Sequence, residues 1–181
     1  MRETKVISLL GGSGLGKSTT AALLYGEMKR KQLSCELVRE FVKDWAWEGK
    51  KPDALGQSII YGRQLERESL LYGKVDYIIT DSPLMLSGIY RNFFFGSTCV
   101  SHLFLRDIEE AKKKNVKHIN FLLERKKAFS TEGRFEDEAT AIQVDVAVKE
   151  FLKDHKIEFI KTDVEDDHRI DFIMNYLGLG E

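Results

Sequence analysis

Residues 11–18, GGSGLGKS, combine glycines, a lysine and a hydroxyl in the spacing of a phosphate-binding loop. Glycines let backbone N–H groups approach phosphate oxygens closely, and a helix that starts here directs the positive end of its dipole at the same anion. We expect Lys17 to contact the outer phosphates of ATP and the Ser18 hydroxyl to bind Mg²⁺. The predicted nucleotide-binding residues are Gly12, Ser13, Gly14, Leu15, Gly16, Lys17, Ser18 and Thr19.

Acidic residues follow two of the strand-like segments. Asp81 comes after VDYIIT, where a carboxylate can bind the metal opposite Ser18. Glu40 comes after CELVR, where it could accept the proton of an attacking hydroxyl. Asp44 is the next candidate for that role, and Arg39 could bind an anionic group of the acceptor. The residues alone leave open whether Glu40 or Asp81 is the base.

Aromatic and amide side chains near the same edge are candidates for binding the acceptor. At least one of Trp45 and Trp47 could stack on a base. Gln57 and Gln64 are seven residues apart on a predicted helix, with Tyr61 between them, and amides can bind base edges through paired hydrogen bonds. We predict that Trp45, Gln57, Tyr61 and Gln64 bind substrate. The alternative is that they are ordinary core or solvated positions.

The polar segment 124–135 has the composition of a small lid. It contains Arg125 and Arg134 and lies between a strand and a helix. Such a segment can close over bound phosphates, and its cations can neutralise the charge of the transferred phosphoryl group. We therefore predict that both arginines are catalytic, together with Lys17, Glu40 and Asp81.

Strand-like and helix-like segments alternate along the chain, which predicts an α/β fold with a parallel sheet and helices on both faces. We expect one domain over residues 1–181. A segment containing Phe93, Phe94 and Phe95 looks mobile and precedes a predicted helix. The predicted strands are 4–10, 35–39, 75–80, 116–123 and 157–161, and the predicted helices are 17–31, 52–72, 98–114, 136–154 and 166–177, with a short helix or loop at 41–49.

Composition limits the classes of partner. The net charge of −1 provides no general attraction to nucleic acid or to anionic membranes. The two cysteines, Cys35 and Cys99, suggest neither a disulfide framework nor a metal site. No segment is long and apolar enough to span a bilayer. We expect a cytoplasmic protein, monomeric or homodimeric, with no metal other than magnesium.

These motifs together resemble the small P-loop kinases of the nucleoside and nucleotide kinase group. The likeness is greatest to NadR-type, nicotinamide riboside kinase-like AAA/ATPase domains, including small forms common in phages. It is carried by GGSGLGKST, REF, YGRQLERE, YIITDSP and ERKKAF…GRFEDE, which extend over nearly the whole chain. The resemblance implies strand order 2-3-1-4-5, ATP as donor, magnesium and a lid with arginines. The Asp-Ser-Pro at 81–83 differs from the corresponding signatures of thymidylate and deoxynucleoside kinases.

The leading hypothesis is an ATP- and Mg²⁺-dependent phosphotransferase that acts on a hydroxyl or phosphate of a nucleoside, nucleotide or related small molecule. One alternative is a polynucleotide kinase acting on a DNA end or on a hydroxymethylated base. Another is a nucleotide-dependent ATPase or switch module. The motifs do not distinguish ATP from GTP as donor, and they do not identify the acceptor.

Overall fold

The computed structural model describes residues 2–126 and 136–180, in which strands and helices alternate. The strands are β1 (Thr4–Leu10), β2 (Cys35–Val38), β3 (Tyr77–Thr80), β4 (Val116–Leu123) and β5 (Ile160–Thr162). The helices are α1 (Lys17–Arg30), α2 (Val42–Trp47), α3 (Ala54–Ser69), α4 (Leu84–Phe95), α5 (Cys99–Lys113), α6 (Glu138–Asp154) and α7 (Arg169–Tyr176), with a 3₁₀ turn at Asp166–His168.

The strands form one five-stranded sheet in the order β2-β3-β1-β4-β5. Every strand pair is parallel, so the predicted strand order and sheet type are confirmed. Thr80 of β3 is in register with Ser8 of β1 on one side and with Val38 of β2 on the other. The carboxyl ends of β2 and β3 therefore lie level, and the residues that follow them meet at one edge of the sheet.

Helices cover both faces of the sheet, as the alternation predicted. Successive side chains of a strand point to opposite faces. On β1, Ile7 and Leu9 pack in a core cluster with α1 and α7. Leu10 packs in a second cluster with α3, α4, α5 and α6. The central strand is therefore buried on both sides, which explains its continuous apolar sequence.

The segment with three phenylalanines is helical: residues Leu84–Phe95 form α4, a helix that the sequence analysis did not predict. The first six residues of α4 are all buried, and the helix ends at Gly96 in the left-handed conformation. Gly88, inside α4, lies so close to α5 that a Cβ there would be 2.7 Å from the Ser101 hydroxyl oxygen. Because glycine has a low helical propensity, Gly88 made this apolar run look unlike a helix, although it packs tightly against α5.

Other boundaries moved by a few residues. The third strand begins at Tyr77 and the fifth covers Ile160–Thr162, later than predicted in both cases. The long helix begins after Asp53, whose carboxylate caps it by accepting a hydrogen bond from the Gly56 N–H at 2.6 Å.

Candidate active site

The phosphate-binding loop, residues 11–18, connects β1 to α1 at the carboxyl edge of the sheet. Gly16 precedes the helix with φ 78°, a left-handed conformation that glycine adopts without steric cost. At Gly12 a Cβ would lie 2.6 Å from the Ala141 carbonyl oxygen of α6, so only glycine fits there. The first N–H groups of α1 have no partners within the helix, as an anion-binding terminus requires.

Lys17 folds back over this loop. Its Nζ donates hydrogen bonds to the carbonyl oxygens of Gly11 at 2.8 Å and Gly12 at 2.5 Å. Burial lowers the pKa of the ammonium, and the nearby Glu40 and Asp81 carboxylates oppose that shift. A cation held among acidic groups is thus placed at the base of the cleft.

Glu40 and Asp81 meet as the strand register requires. The backbone N–H of Glu40 donates to Asp81 Oδ1 at 2.9 Å, and Asp81 is buried. Burial raises the pKa of the Glu40 carboxyl above its ordinary value. Lys17 opposes that rise, whereas Asp81 and Glu136 add to it. Glu40 therefore has a higher affinity for protons than a solvated glutamate, as a general base requires.

A cleft of about 760 Å³ extends from the phosphate-binding loop across these groups. That volume is in the range of small-molecule binding pockets. Its walls come from the loop and α1, the end of β2 with α2, the start of α3, α4 and the start of α6. The lining includes Ser13, Gly14, Gly16, Lys17, Ser18, Thr19, Glu40, Val42, Lys43, Ala46, Trp47, Lys51, Pro52, Gln57, Ile60, Ser82, Leu86, Ser87, Tyr90, Phe94, Phe95, Glu136, Asp137 and Thr140.

Two of the lining residues, Tyr90 and Glu136, were missed in the sequence analysis. The Tyr90 hydroxyl makes a long, 3.5 Å contact with Glu136 Oε2. Burial, followed by the charges of Glu136 and Glu40, raises the pKa of Tyr90 well above its ordinary value, so the phenol remains a proton donor. Tyr90 lies on the helix that was not predicted, and Glu136 is the first residue of the predicted helix 136–154, just after the predicted lid. Recognition of α4 would have placed Tyr90 near this edge.

Comparison with known proteins identifies the family. A family model described as an AAA domain matches residues 6–167. The chain belongs to this AAA domain family. No curated protein matches it in sequence.

Solved structures of small kinases share the fold of this AAA domain. Deoxyadenosine kinase from M. mycoides with bound dATP aligns over 96% of this chain and 98% of its own, with 18% identity and a TM-score of 0.61. Thymidylate kinase from Ehrlichia chaffeensis aligns over 97% of this chain and 99% of its own, with 15% identity and a TM-score of 0.62. NadR protein in complex with NR aligns over 97% of this chain, with 13% identity and a TM-score of 0.68. The AAA domain spans 52% of the length of NadR. The predicted resemblance to P-loop kinases and to NadR is confirmed at the level of fold.

The structure brings only one of the predicted acceptor-binding residues of α3 into the cleft. Gln57 is buried and lines it. The Tyr61 hydroxyl instead donates to Asp107 Oδ2 of α5 at 2.5 Å, inside the core. Gln64 accepts from the Phe41 N–H at 3.3 Å. The helical period correctly predicted a shared face, but most of that face packs against the protein itself.

The predicted residues around α2 are also distributed differently. Arg39 and Asp44 are exposed and lie outside the cleft lining. Trp45 packs edge-on against Phe41, with 5.8 Å between ring centroids. Trp47, which is 68% exposed, is the tryptophan that lines the cleft. The two tryptophans of WAW point in different directions because alternate residues of a helix lie on different faces.

Arg125 contacts the phosphate-binding loop directly. Its Nη2 donates to the Ser13 carbonyl oxygen at 2.9 Å, and its Nε donates to Asp145 Oδ2 at 3.0 Å. On the other side of the loop, the buried Arg169 donates to the Leu15 carbonyl oxygen at 3.0 Å. Asp145 and Arg169 were missed because no local pattern relates them to the loop. Arg134, the second predicted lid arginine, lies outside the described residues.

Replacing Tyr61 with phenylalanine is expected to lower the free energy of unfolding and leave catalysis unchanged. The change leaves the half-buried Asp107 carboxylate without the phenol that donates to it, which costs about 1–3 kcal/mol. Urea unfolding measures the stability, and the acceptor KM measures substrate binding. Gln57→Ala, on the same helix but in the cleft, is the matched control and should raise the acceptor KM. A raised KM in Tyr61→Phe with unchanged stability would contradict this placement.

Proposed function

We propose that this AAA domain is an ATP-dependent phosphotransferase that acts on a hydroxyl or phosphate of a nucleoside, nucleotide or related small molecule. The observation that carries the proposal is the single cleft that connects Lys17 of the phosphate-binding loop to the Glu40 carboxyl. A donor site and a candidate base thus share one cavity with aromatic and polar walls. The fold is shared with deoxyadenosine kinase and thymidylate kinase, which supports this class of reaction.

The residues of the cleft suggest a division of roles. Lys17 neutralises negative charge on the transferred phosphoryl group, which is the main requirement of such transfer. For a hydroxyl acceptor, the proton passes to the Glu40 carboxylate as the acceptor oxygen bonds to the γ-phosphorus and the bond to the ADP oxygen breaks. Asp81 holds the Glu40 backbone through the hydrogen bond to its N–H. Trp47 and Gln57 line the walls, where they would contact the acceptor.

Ser18 and Asp81 are the residues that would hold a magnesium ion. Ser18 is exposed in the first turn of α1, and the Asp81 carboxylate lies at the end of β3. Among residues 2–126 and 136–180, no group of three or more His, Cys, Asp and Glu side chains could hold a metal alone. Mg²⁺ is usually held by one or two side chains together with substrate phosphates and water. When bound, the ion would supply charge neutralisation to the phosphates.

No helix in the described part of the chain combines the length and the apolar character needed to cross a bilayer.

The proposal is tested by incubating the protein with Mg·ATP and a pooled panel of acceptors, followed by mass spectrometry. The panel contains nucleosides, nucleoside monophosphates, nicotinamide riboside, and short DNA with normal and hydroxymethylated bases. We expect one small molecule to gain the mass of a phosphoryl group, with equimolar ADP. A mock reaction without protein is the control. ADP formation with no phosphorylated acceptor, or phosphorylation of the DNA alone, would contradict the proposal.

A further inference from the structure

An ion pair outside the acceptor cleft contacts the phosphate-binding loop. The Asp145 carboxylate of α6 uses both of its oxygens. Oδ1 accepts a hydrogen bond from the Gly12 N–H at 2.6 Å. Oδ2 accepts from Arg125 Nε at 3.0 Å and from its Nη2 at 2.8 Å. One side chain therefore connects the loop to an arginine that follows β4.

The arginine makes a second contact with the loop. Arg125 Nη2 donates to the Ser13 carbonyl oxygen at 2.9 Å. The Gly12 N–H belongs to the peptide unit before Gly12, and the Ser13 carbonyl belongs to the unit after Ser13. The ion pair thus sets the orientation of two peptide units that flank the same two residues. The Arg125 guanidinium donates to a carbonyl oxygen, and the Asp145 carboxylate accepts from an N–H group, so each member of the pair forms a favourable hydrogen bond with the loop.

The surroundings make the pair stronger than a surface ion pair. The Arg125 and Asp145 side chains are 15% and 17% exposed. Water and salt screen such a pair less than an exposed one. α6 also lies directly against the loop, because a Cβ on Gly12 would be 2.8 Å from Asp145 Oδ1. The loop has no room to move towards α6, and the ion pair restrains movement away from it.

We propose that Asp145 and Arg125 are positioning residues that preorganise the phosphate-binding loop for ATP; this rests on the proposed function only in that the loop binds ATP. Neither residue needs to touch the transferred phosphoryl group for this role. A loop that is already ordered avoids the entropy cost of ordering on binding. Loss of the pair therefore weakens ATP binding more than it slows turnover at saturating ATP.

The test compares ATP binding by isothermal titration calorimetry in a graded series of variants. Asp145→Asn keeps an acceptor for the Gly12 N–H but removes the charge, whereas Asp145→Ala removes both. We expect ATP binding to weaken about tenfold in the alanine variant and less in the asparagine variant. Arg125→Gln should weaken binding by itself, but much less so when Asp145→Ala is already present, because the two side chains form one unit.

A matched control comes from the neighbouring exposed pair. Lys126 follows Arg125 in the chain, and its Nζ lies 2.8 Å from Asp163 Oδ1, an interaction that does not involve the loop. Asp163→Asn should leave ATP affinity unchanged. Urea unfolding of each variant shows whether it is folded, and the KM for ATP and kcat are measured once an acceptor is known. A merely structural role would lower stability without changing ATP affinity.

The outcomes separate this inference from the proposed function. Unchanged ATP affinity in folded Asp145→Ala and Asp145→Asn would overturn the positioning role while leaving the phosphotransferase proposal intact. The expected graded loss of affinity, without phosphorylation of any acceptor, would support the positioning role and contradict the phosphotransferase. A wild-type protein that does not bind ATP would overturn both.

Discussion

Replacing Lys17 with alanine is expected to abolish phosphoryl transfer while leaving the fold intact. The ammonium is held on the Gly11 and Gly12 carbonyl oxygens at the base of the cleft, where it can reach the outer phosphates. Removal of a charge placed to stabilise the transition state should reduce kcat by a factor on the order of 10³ or more. The decrease in kcat is measured from the formation of ADP and phosphorylated acceptor, monitored by mass spectrometry.

The fold should tolerate this change because burial already disfavours the charged lysine. That desolvation is the largest influence on its pKa and lowers it. Circular dichroism and urea unfolding of Lys17→Ala should therefore match the wild type to within about 1 kcal/mol. Lys31→Ala, at the opposite end of α1, is a suitable control for loss of a lysine and should keep full activity. A normal transfer rate in Lys17→Ala would remove the basis of the proposed mechanism.

Replacing Glu40 with glutamine should produce the second large effect, a decrease in kcat by a factor of about 10²–10⁴ for a hydroxyl acceptor. Only the ionised carboxylate can accept the proton. Because burial raises the pKa of Glu40, the wild-type rate should increase with pH through that raised pKa and then level off. Glutamine cannot titrate, so this rise should disappear in the variant.

Asp81→Asn distinguishes the two carboxylates left open by the sequence. If Glu40 is the base, Asp81→Asn should be slower than wild type yet keep the rise in rate with pH. The two variants are compared by measuring kcat from acidic to alkaline pH at saturating ATP and acceptor. Retention of the rise in Glu40→Gln with its loss in Asp81→Asn would assign the base to Asp81 instead.

The features predicted correctly from the sequence are those set by local pattern and by the geometry of parallel sheets. GGSGLGKS lies between a buried strand and a helix, which determines its position at the carboxyl edge. Glu40 and Asp81 were each predicted to follow a strand, and the hydrogen bond between the Glu40 N–H and Asp81 shows that they are adjacent. The strand order came from the family resemblance and is confirmed as well.

What could not be predicted depends on contacts between distant elements. A helical period places Gln57, Tyr61 and Gln64 on one face of α3, but it does not say which of them meets the cleft and which meets α5. α4 was missed because Gly88 lowers the helical propensity of the segment, whereas its role is to allow close packing against α5. The contacts of Arg125, Asp145 and Arg169 with the phosphate-binding loop were missed because nothing in the sequence around these residues indicates that they lie beside the loop.

The hydrogen bonds that hold the phosphate-binding loop affect the order in which the site forms during folding. The loop forms hydrogen bonds with Arg125, Asp145 and Arg169. These partners follow their loop residues in the chain by 112, 133 and 154 positions, respectively. Contacts at such separation form late, because a long stretch of chain must first be brought together. On the ribosome, the GGSGLGKS string emerges long before α6 and α7 exist to support it. The nascent chain therefore carries the sequence of a nucleotide site well before the site forms, and ATP should bind most tightly to chains whose C-terminal helices have docked.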